Sequence, residues 1–224
     1  MRLNIFNQIH KGLRALLYES SLLLQQTDFL NDEEMKIAIR RVTLVADLFD
    51  DHAHHEDKFI LPAIHEHEPS IVDAFEREHA MDIKLTRGLK NSLQALEMAS
   101  PMVRPEMANV LYKTFVQFMV FNLEHMSKEE NILNNILWRY YSDEEILAIQ
   151  TDILSSITPW SAANGSRWMM RGLNNAEIVS WLKSVEESAP EAAFQKLFSI
   201  AKRELPERRF RHVLESVTEE MMLA

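Results

Sequence analysis

Hydrophobic residues recur every three or four positions through most of the chain, which is the spacing of one face of an α-helix. The pattern predicts four long helical segments in the first two thirds of the sequence. Three breaks separate them, each with a helix-ending or capping residue: 25–32 with Asn31 or Asp32, 65–70 with Ser70 after Pro69, and 97–105 with Pro101 and Pro105. Four helices joined by short connections predict an up-down-up-down bundle.

The pattern changes after the fourth helix. That helix is predicted to continue through 134–141, and a further helix is predicted to follow a cap at Ser142. The polar stretch 158–166 then predicts a linker. Asn175 is placed to cap the first of the helices beyond it. Three amphipathic segments make up this last part of the chain: 176–188, 190–204 and 206–222.

Composition supports an all-α fold. The 224 residues are 46% hydrophobic and include only 4 glycines and 7 prolines, which favours long helices over a turn-rich sheet. A chain of this length fits one ordinary domain with a small addition. We therefore predict a four-helix bundle domain at 1–157 and a C-terminal three-helix extension at 158–224.

Charge and cysteine content narrow the function. The net charge is −10, with the acidic excess before residue 166, and this disfavours nucleic acid and anionic lipid as partners. The N-terminal segment has no unbroken apolar stretch, so we predict neither an export signal nor a membrane span, and a cytoplasmic location. The absence of cysteine excludes disulfides, iron–sulfur clusters and thiol catalysis, so a bound metal must be held by His, Asp or Glu.

Two histidine–glutamate pairs have the spacing of one helical turn: His52 with Glu56, and His125 with Glu129. Residues four apart lie on one face of a helix. Chance alone would supply about one or two such pairs, but both of these interrupt stripes of hydrophobic residues. The first stripe contains Val45, Leu48, Phe49, Phe59 and Ile60, and the second contains Phe115, Phe118, Ile132 and Ile136. Both pairs are therefore predicted to face the core.

The first and third helices each add one histidine on a similar stripe. His10 is flanked by Phe6, Leu13 and Leu17, and His79 by Val72, Phe75 and Ile83. Along the helices, Glu56 and His79 each lie about 15 Å from the break at 65–70 that they share. His79 and His125 each lie about 30 Å from the break at 97–105. His79 is therefore expected at the same height as Glu56 and as His125. His10 and His52 differ in height by about 5 Å. The six polar side chains are therefore expected at one level of the bundle.

This cluster predicts a metal centre. Two buried carboxylates would cost several kcal/mol per charge unless a cation compensated them. Ligation by imidazole and carboxylate suits Fe, Mn or Zn, and two glutamates can bridge two ions while the histidines fill outer positions. Six side chains do not saturate two six-coordinate irons, so open positions are expected.

The same residues resemble the hemerythrin-like, or HHE cation-binding, family, whose members are four-helix bundles around a non-haem di-iron centre. The resemblance covers about residues 1–145. Its motifs are His10, HAHHEDKFILPAI (similar to the family's H-x-x-x-E-E-x-x-L-F-P-x-L), EREHAMDI and HMSKEENIL. It implies two Fe ions with an oxo or hydroxo bridge, Mn or Zn being alternatives. The implied metal ligands are His10, His52, Glu56, His79, His125 and Glu129.

The resemblance also implies a function, the binding or sensing of oxygen, nitric oxide or peroxide at an open iron position. A di-iron peroxidase or oxidase, and iron-centre repair or iron handling under oxidative or nitrosative stress, are the alternatives. Oxygen-carrying members have a second histidine where this chain has Ile83, and a His-x4-Asp motif where it has His125-x3-Glu129. The four-His, two-Glu set is more similar to a bacterial subclass linked to iron-centre repair, which commonly carries a cysteine-containing segment. These differences weaken oxygen carriage and repair but not di-metal binding.

The other histidines are predicted to lie outside the site. His54 is expected in solvent and His55 at most beside the ligands, while His65, His67 and His212 are expected on the surface. The C-terminal extension is predicted to be a packing appendage or the surface of a homodimer, because its apolar residues need a partner.

Overall fold

The computed structural model describes residues 2–221, with side chains through residue 218, and this part of the chain is helical without strands. Contacts divide the molecule into two compact units: Met1–Asn7 with Leu16–Thr158, and Gln8–Ala15 with Pro159–Ala224. They are named here the bundle unit and the C-terminal unit. The all-α class, and a four-helix bundle followed by additional C-terminal helices, are confirmed. Among the described residues, no helix combines the length and apolar character needed to cross a bilayer.

The four bundle helices lie where the hydrophobic pattern predicts them, although two of them include a π-helical turn. In chain order the elements are α1 (Asn7–Gln26), α2 (Asp32–His55), a π-helical turn (Glu56–Ile60), α3 (Leu61–His65), α4 (Pro69–Glu97), α5 (Arg104–Lys128), a second π-helical turn (Glu129–Leu133), α6 (Asn134–Tyr140) and α7 (Asp143–Ser156). The segment from α2 to α3 is a continuous helical run, and so is the segment from α5 to α6.

Within the bundle unit, two of the predicted caps are confirmed and one is wrong. The Asn31 side chain accepts hydrogen bonds from the first-turn amides of α2, and Ser142 forms a reciprocal capping box with Glu145 at the start of α7. Ser70 does not cap α4, because the helix begins one residue earlier at Pro69, and the preceding Glu68 makes no side-chain cap. Proline is accepted there because the first turn of a helix leaves its amides unpaired in any case.

The two π-helical turns shift the inward face of the helices that contain them. Leu61 N–H donates to Glu56 O, and Asn134 N–H donates to Glu129 O, each a hydrogen bond to the residue five positions earlier. A π-helical turn contains an extra residue, so the side chains beyond it are rotated relative to a regular α-helix. The prediction that Ile132 faces the core is therefore wrong: it is 38% exposed, and Leu133 is buried instead.

The predicted inward position of Ile83 is also wrong. Ile83 is 55% exposed, whereas Asp82 and Thr86 on the same helix are buried. An α-helix has 3.6 residues per turn, so an inward stripe alternates steps of three and four. After a step of four from Phe75 to His79, the next inward residue is three positions on, at Asp82.

Apolar layers enclose the level of the bundle at which the predicted ligands lie. One layer is formed by Ile5, Phe6, Ile60, Leu61, Ile64, Val72, Phe75, Leu133, Ile136, Leu137 and Ile146. In the opposite direction along the helices, the rings of Phe49 and Phe118 meet edge to face with centroids 5.2 Å apart. Burial of each such side chain contributes about 1.5–3 kcal/mol. These layers cover the level between them with apolar side chains on both sides along the helices.

The C-terminal unit contains four helices after the bundle, rather than the predicted three: α8 (Pro159–Gly172), α9 (Asn175–Ser188), α10 (Glu191–Glu204) and α11 (Glu207–Met221). The predicted linker at 158–166 is wrong, because most of that stretch belongs to α8. The polar residues of this stretch are typical of a loop, but they belong to a helix that begins at a proline and buries Trp168 and Met170. Asn174 rather than Asn175 caps α9. The predicted end of the last helix at Met222 lies outside the described residues.

Candidate metal centre

Histidine and glutamate side chains, all buried except the partly exposed His52, meet in two overlapping groups. One group contains His10, His52, Glu56 and Glu129, and the other contains Glu56, His79, His125 and Glu129. In each group, one ligand atom from every residue lies within 4.8 Å of the others. The structure therefore brings together all six predicted residues. Glu56 and Glu129, named here the shared carboxylates, belong to both groups.

The Nε2 atoms of His52, His79 and His125 lie close to the shared carboxylates. His52 Nε2 lies 3.1 Å from Glu56 Oε1, and His125 Nε2 lies 3.0 Å from Glu129 Oε1. His79 Nε2 lies 3.6 Å from Glu56 Oε2 and 3.9 Å from Glu129 Oε1. The Nε2 atoms of His79 and His125 are 3.1 Å apart. The nitrogen and oxygen donors of each group thus converge on one point, as metal ligands do.

The cluster is withdrawn from water. His10 and Glu129 are 0% exposed, and Glu56 is 2% exposed. His79 and His125 are 4% and 5% exposed. Two carboxylates in such surroundings require positive charge beside them. The donor set and its burial both fit a bound metal cation.

Each shared carboxylate is the first residue of a π-helical turn. In both helical runs the clustered histidine, His52 or His125, lies in the last turn of regular α-helix, and the glutamate follows four residues later. Isolated π-helical turns inside α-helices occur often at functional sites, because they change the direction of neighbouring side chains. The same local device therefore positions both shared carboxylates.

Two carboxylates that were not predicted from the sequence contact the Nδ1 atoms of His79 and His125. His79 Nδ1 lies 2.6 Å from Asp57 Oδ1, and His125 Nδ1 lies 2.8 Å from Glu78 Oε2. Lys128 Nζ in turn donates to Glu78 Oε1 at 2.9 Å. A carboxylate that accepts from Nδ1–H leaves the Nε2 lone pair directed at the centre and makes the imidazole a stronger ligand. Asp57 follows Glu56 in the sequence, and Glu78 precedes His79. This adjacency to two of the clustered residues is the only feature of the sequence that indicates their role.

The shared carboxylates raise the pKa of both of these histidines in the metal-free protein. Burial is the largest single influence on His79 and lowers its pKa, but hydrogen bonds to Asp57 and to the shared carboxylates together outweigh it and raise the pKa to about 12. Burial likewise lowers the pKa of His125, and interactions with Glu129 and Glu78 raise it to about 9. The metal-free cluster therefore holds protons on its imidazoles more tightly than free histidine does, and metal binding must displace them.

We expect Asp57→Asn and Glu78→Gln each to weaken metal binding by about 10–100-fold, because each removes the charge that orients a ligand histidine. The measurement is a metal titration of the metal-free protein with a competing chelator. Asp73→Asn is the matched control, since Asp73 is an exposed carboxylate on the same helix as Glu78. Affinity equal to wild type in both variants would show that these carboxylates do not support the ligands.

A buried polar pair lies one helical turn from the ligand histidines of α4 and α5. Asp82 Oδ1 accepts from Asn122 Nδ2 at 2.8 Å, and Asn122 Nδ2 also donates to Phe118 O at 3.1 Å. Burial raises the pKa of Asp82. The sequence analysis missed this pair, although both residues lie on the inward stripes that carry His79 and His125.

The remaining histidines lie away from the cluster. His54, His65, His67 and His212 are exposed, as predicted. The ring of His67 stacks on Tyr140 with centroids 4.1 Å apart. His55 is partly buried, and burial is the largest influence lowering its pKa.

A surface cleft of about 510 Å³ reaches the cluster from one side of the bundle unit. Its wall includes Asp57, Leu61, Val72 and His79. Asp57 is the outer partner of His79 and has a side chain that is 51% exposed. The cleft therefore gives a small molecule a route from solvent to the edge of the cluster.

Comparison with known proteins identifies the bundle. The model of one family, the hemerythrin HHE cation binding domain, matches residues 1–137. Comparison with curated proteins and with solved structures gives no match. The matched region is more than half of the chain and contains all six clustered histidines and glutamates. This chain therefore belongs to the hemerythrin HHE cation binding domain family.

Proposed function

We propose that this protein holds two iron ions and uses them to bind or sense a small oxidant, namely oxygen, nitric oxide or peroxide. The observation that carries the proposal is the sharing of Glu56 and Glu129 between two histidine pairs. Each group supplies two imidazoles and two carboxylates, which is a donor set suited to iron, with Mn or Zn as alternatives. A pair of ions held in this way supplies redox chemistry and open coordination positions.

The protein's own residues account for three requirements of such a site. His10 and His52 would hold one ion, His79 and His125 the other, and the shared carboxylates would bridge them. Asp57 and Glu78 fix the orientation of the second histidine pair through its Nδ1 atoms. Apolar layers cover the cluster on both sides along the helices, and the cleft beside His79 has room for a molecule of a few atoms.

A di-iron peroxidase or oxidase is the second candidate. The cleft favours it, because an external electron donor needs access to the edge of the centre, and the cleft reaches His79 and the half-exposed Asp57. In each cycle, such an enzyme would pass two electrons from the donor to peroxide, which takes up two protons and leaves as water.

The test fills the protein with Fe(II) under anaerobic conditions and then mixes it with oxygen, nitric oxide or peroxide. For a binding or sensing protein, we expect one optical change that saturates at one ligand per iron pair. Repeated consumption of peroxide in the presence of a reductant would instead support the enzyme. An iron-loaded protein that shows neither response would contradict both candidates.

A further inference from the structure

The turns of α1 that carry His10 pack with the C-terminal helices. Residues Gln8–Ala15 fall in the C-terminal unit, although they belong to a helix that continues through the bundle unit. His10 is fully buried in this segment. The position of one predicted metal ligand is thus tied to the part of the chain beyond the family domain.

Two glycines bring this segment and α8 into backbone contact. A Cβ added at Gly12 would lie 2.8 Å from Met169 N and 3.0 Å from Met169 Cα. A Cβ added at Gly172 would collide with the carbonyl oxygen of Lys11 and would lie 3.0 Å from Gly12 N. Backbone atoms cannot swing aside as a flexible side chain does, so only glycine permits so close an approach. Both contacts fall within two residues of His10.

An ion pair between Lys11 and Glu177 also links this turn of α1 to α9. Lys11 Nζ donates to Glu177 Oε1, and both side chains are partly buried. Glu177 Oε2 also accepts from Asn174 N at 2.9 Å in the capping box of α9. Lys11 is therefore bonded to the rigid start of a helix, and it immediately follows His10 in the sequence.

His10 takes part in only one of the two groups of ligands. That group pairs it with His52, whereas His79 and His125 complete the other group without it. Metal–ligand distances tolerate a displacement of about 0.2 Å. A shift of the α1 backbone by a few tenths of an ångström therefore weakens one metal position and leaves the other intact.

We propose that the C-terminal unit is a positioning element for His10 and thereby sets the occupancy of one of the two metal positions. Gly12, Gly172, Lys11 and Glu177 are the positioning residues. The proposal rests on the proposed function, since it concerns the same pair of ions. It gives the helices beyond the family domain a defined role in metal loading.

The test compares Gly172→Ala with Gly165→Ala in the full chain. Both glycines lie in α8, but a Cβ at Gly165 meets nothing within 4 Å, so Gly165→Ala is a matched control. In Fe(II) titrations, we expect Gly165→Ala to bind two ions, each with the same affinity as in wild type. In Gly172→Ala, one ion should bind as in wild type and the other at least about tenfold more weakly. Adding Gly172→Ala to His10→Ala should cause no further loss.

Circular dichroism of each variant separates misplacement of His10 from loss of the fold. If Gly172→Ala does not fold, Glu177→Gln decides, because glutamine keeps the capping oxygen and removes the charge that pairs with Lys11. A several-fold weakening of one ion alone supports the proposal. Unchanged binding of both ions in the deciding variant, or equal weakening of both, overturns it while leaving the proposed function intact. A wild-type chain that binds no iron overturns the proposed function and this inference with it.

Discussion

Replacing either shared carboxylate is expected to abolish binding of both metal ions. Glu56→Ala and Glu129→Ala each remove one ligand from both groups at once, since both residues belong to both groups. His10→Ala should instead lose one ion and keep the other, because His10 belongs to a single group. The measurement is the metal-to-protein ratio after anaerobic reconstitution with Fe(II) and removal of free metal.

Glu106→Ala is the control for this comparison, because Glu106 is exposed on the same helix, α5, whose last turns precede Glu129. It should bind two ions as wild type does. Circular dichroism checks that each glutamate variant is folded, because removing one partner of a buried charged pair destabilises a protein. Two ions per chain in both glutamate variants would exclude the shared carboxylates as ligands.

Removing the metal is expected to destabilise the protein by about 4 kcal/mol, compared with the same protein at a free metal concentration about a thousand times the dissociation constant. The reason is that the ions bind the folded state, in which the donors of α1, α2, α4 and α5 are brought together, and not the unfolded chain. Urea unfolding of the chelator-treated and the reconstituted protein measures the difference. Equal unfolding midpoints would contradict a bound pair of ions.

The stability of the metal-free protein should also fall as the pH rises. The pKa of His125 is about 9 and that of His79 about 12 in the folded state, and both exceed the ordinary value of 6.5. The folded state therefore holds more protons than the unfolded chain above pH 6.5, and this stabilisation is lost as the pH rises through 9 and beyond. Unfolding at pH 7 and pH 9 tests the sign, and a metal-free protein that is more stable at pH 9 would contradict it.

Sequence periodicity was sufficient to predict the bundle and the six clustered residues. Histidines and glutamates on otherwise apolar stripes have few structural explanations, and counting residues from shared breaks placed them at one level. The same periodicity failed at Ile132, where a π-helical turn rotates the stripe, because such a turn depends on tertiary packing rather than on local composition. At Ile83 the error came from extending a step of four beyond His79.

The supporting residues were harder to predict because their role depends on distances between helices. Asp57 and Glu78 look like ordinary surface acids. Only the packing of the first π-helical turn against α4, and of α4 against α5, brings them to His79 and His125. The linker prediction for 158–166 failed for a different reason. Its polar residues and Gly165 are typical of a loop, but burial of Trp168 and Met170 in the same helix overrides these local preferences.

The most direct test of the central claim is anomalous diffraction at the iron edge from crystals of the anaerobically reconstituted protein. The account predicts two peaks in each chain, one between His10 and His52 and the other between His79 and His125, with the shared carboxylates between them. A single peak, or peaks away from these six side chains, would contradict it.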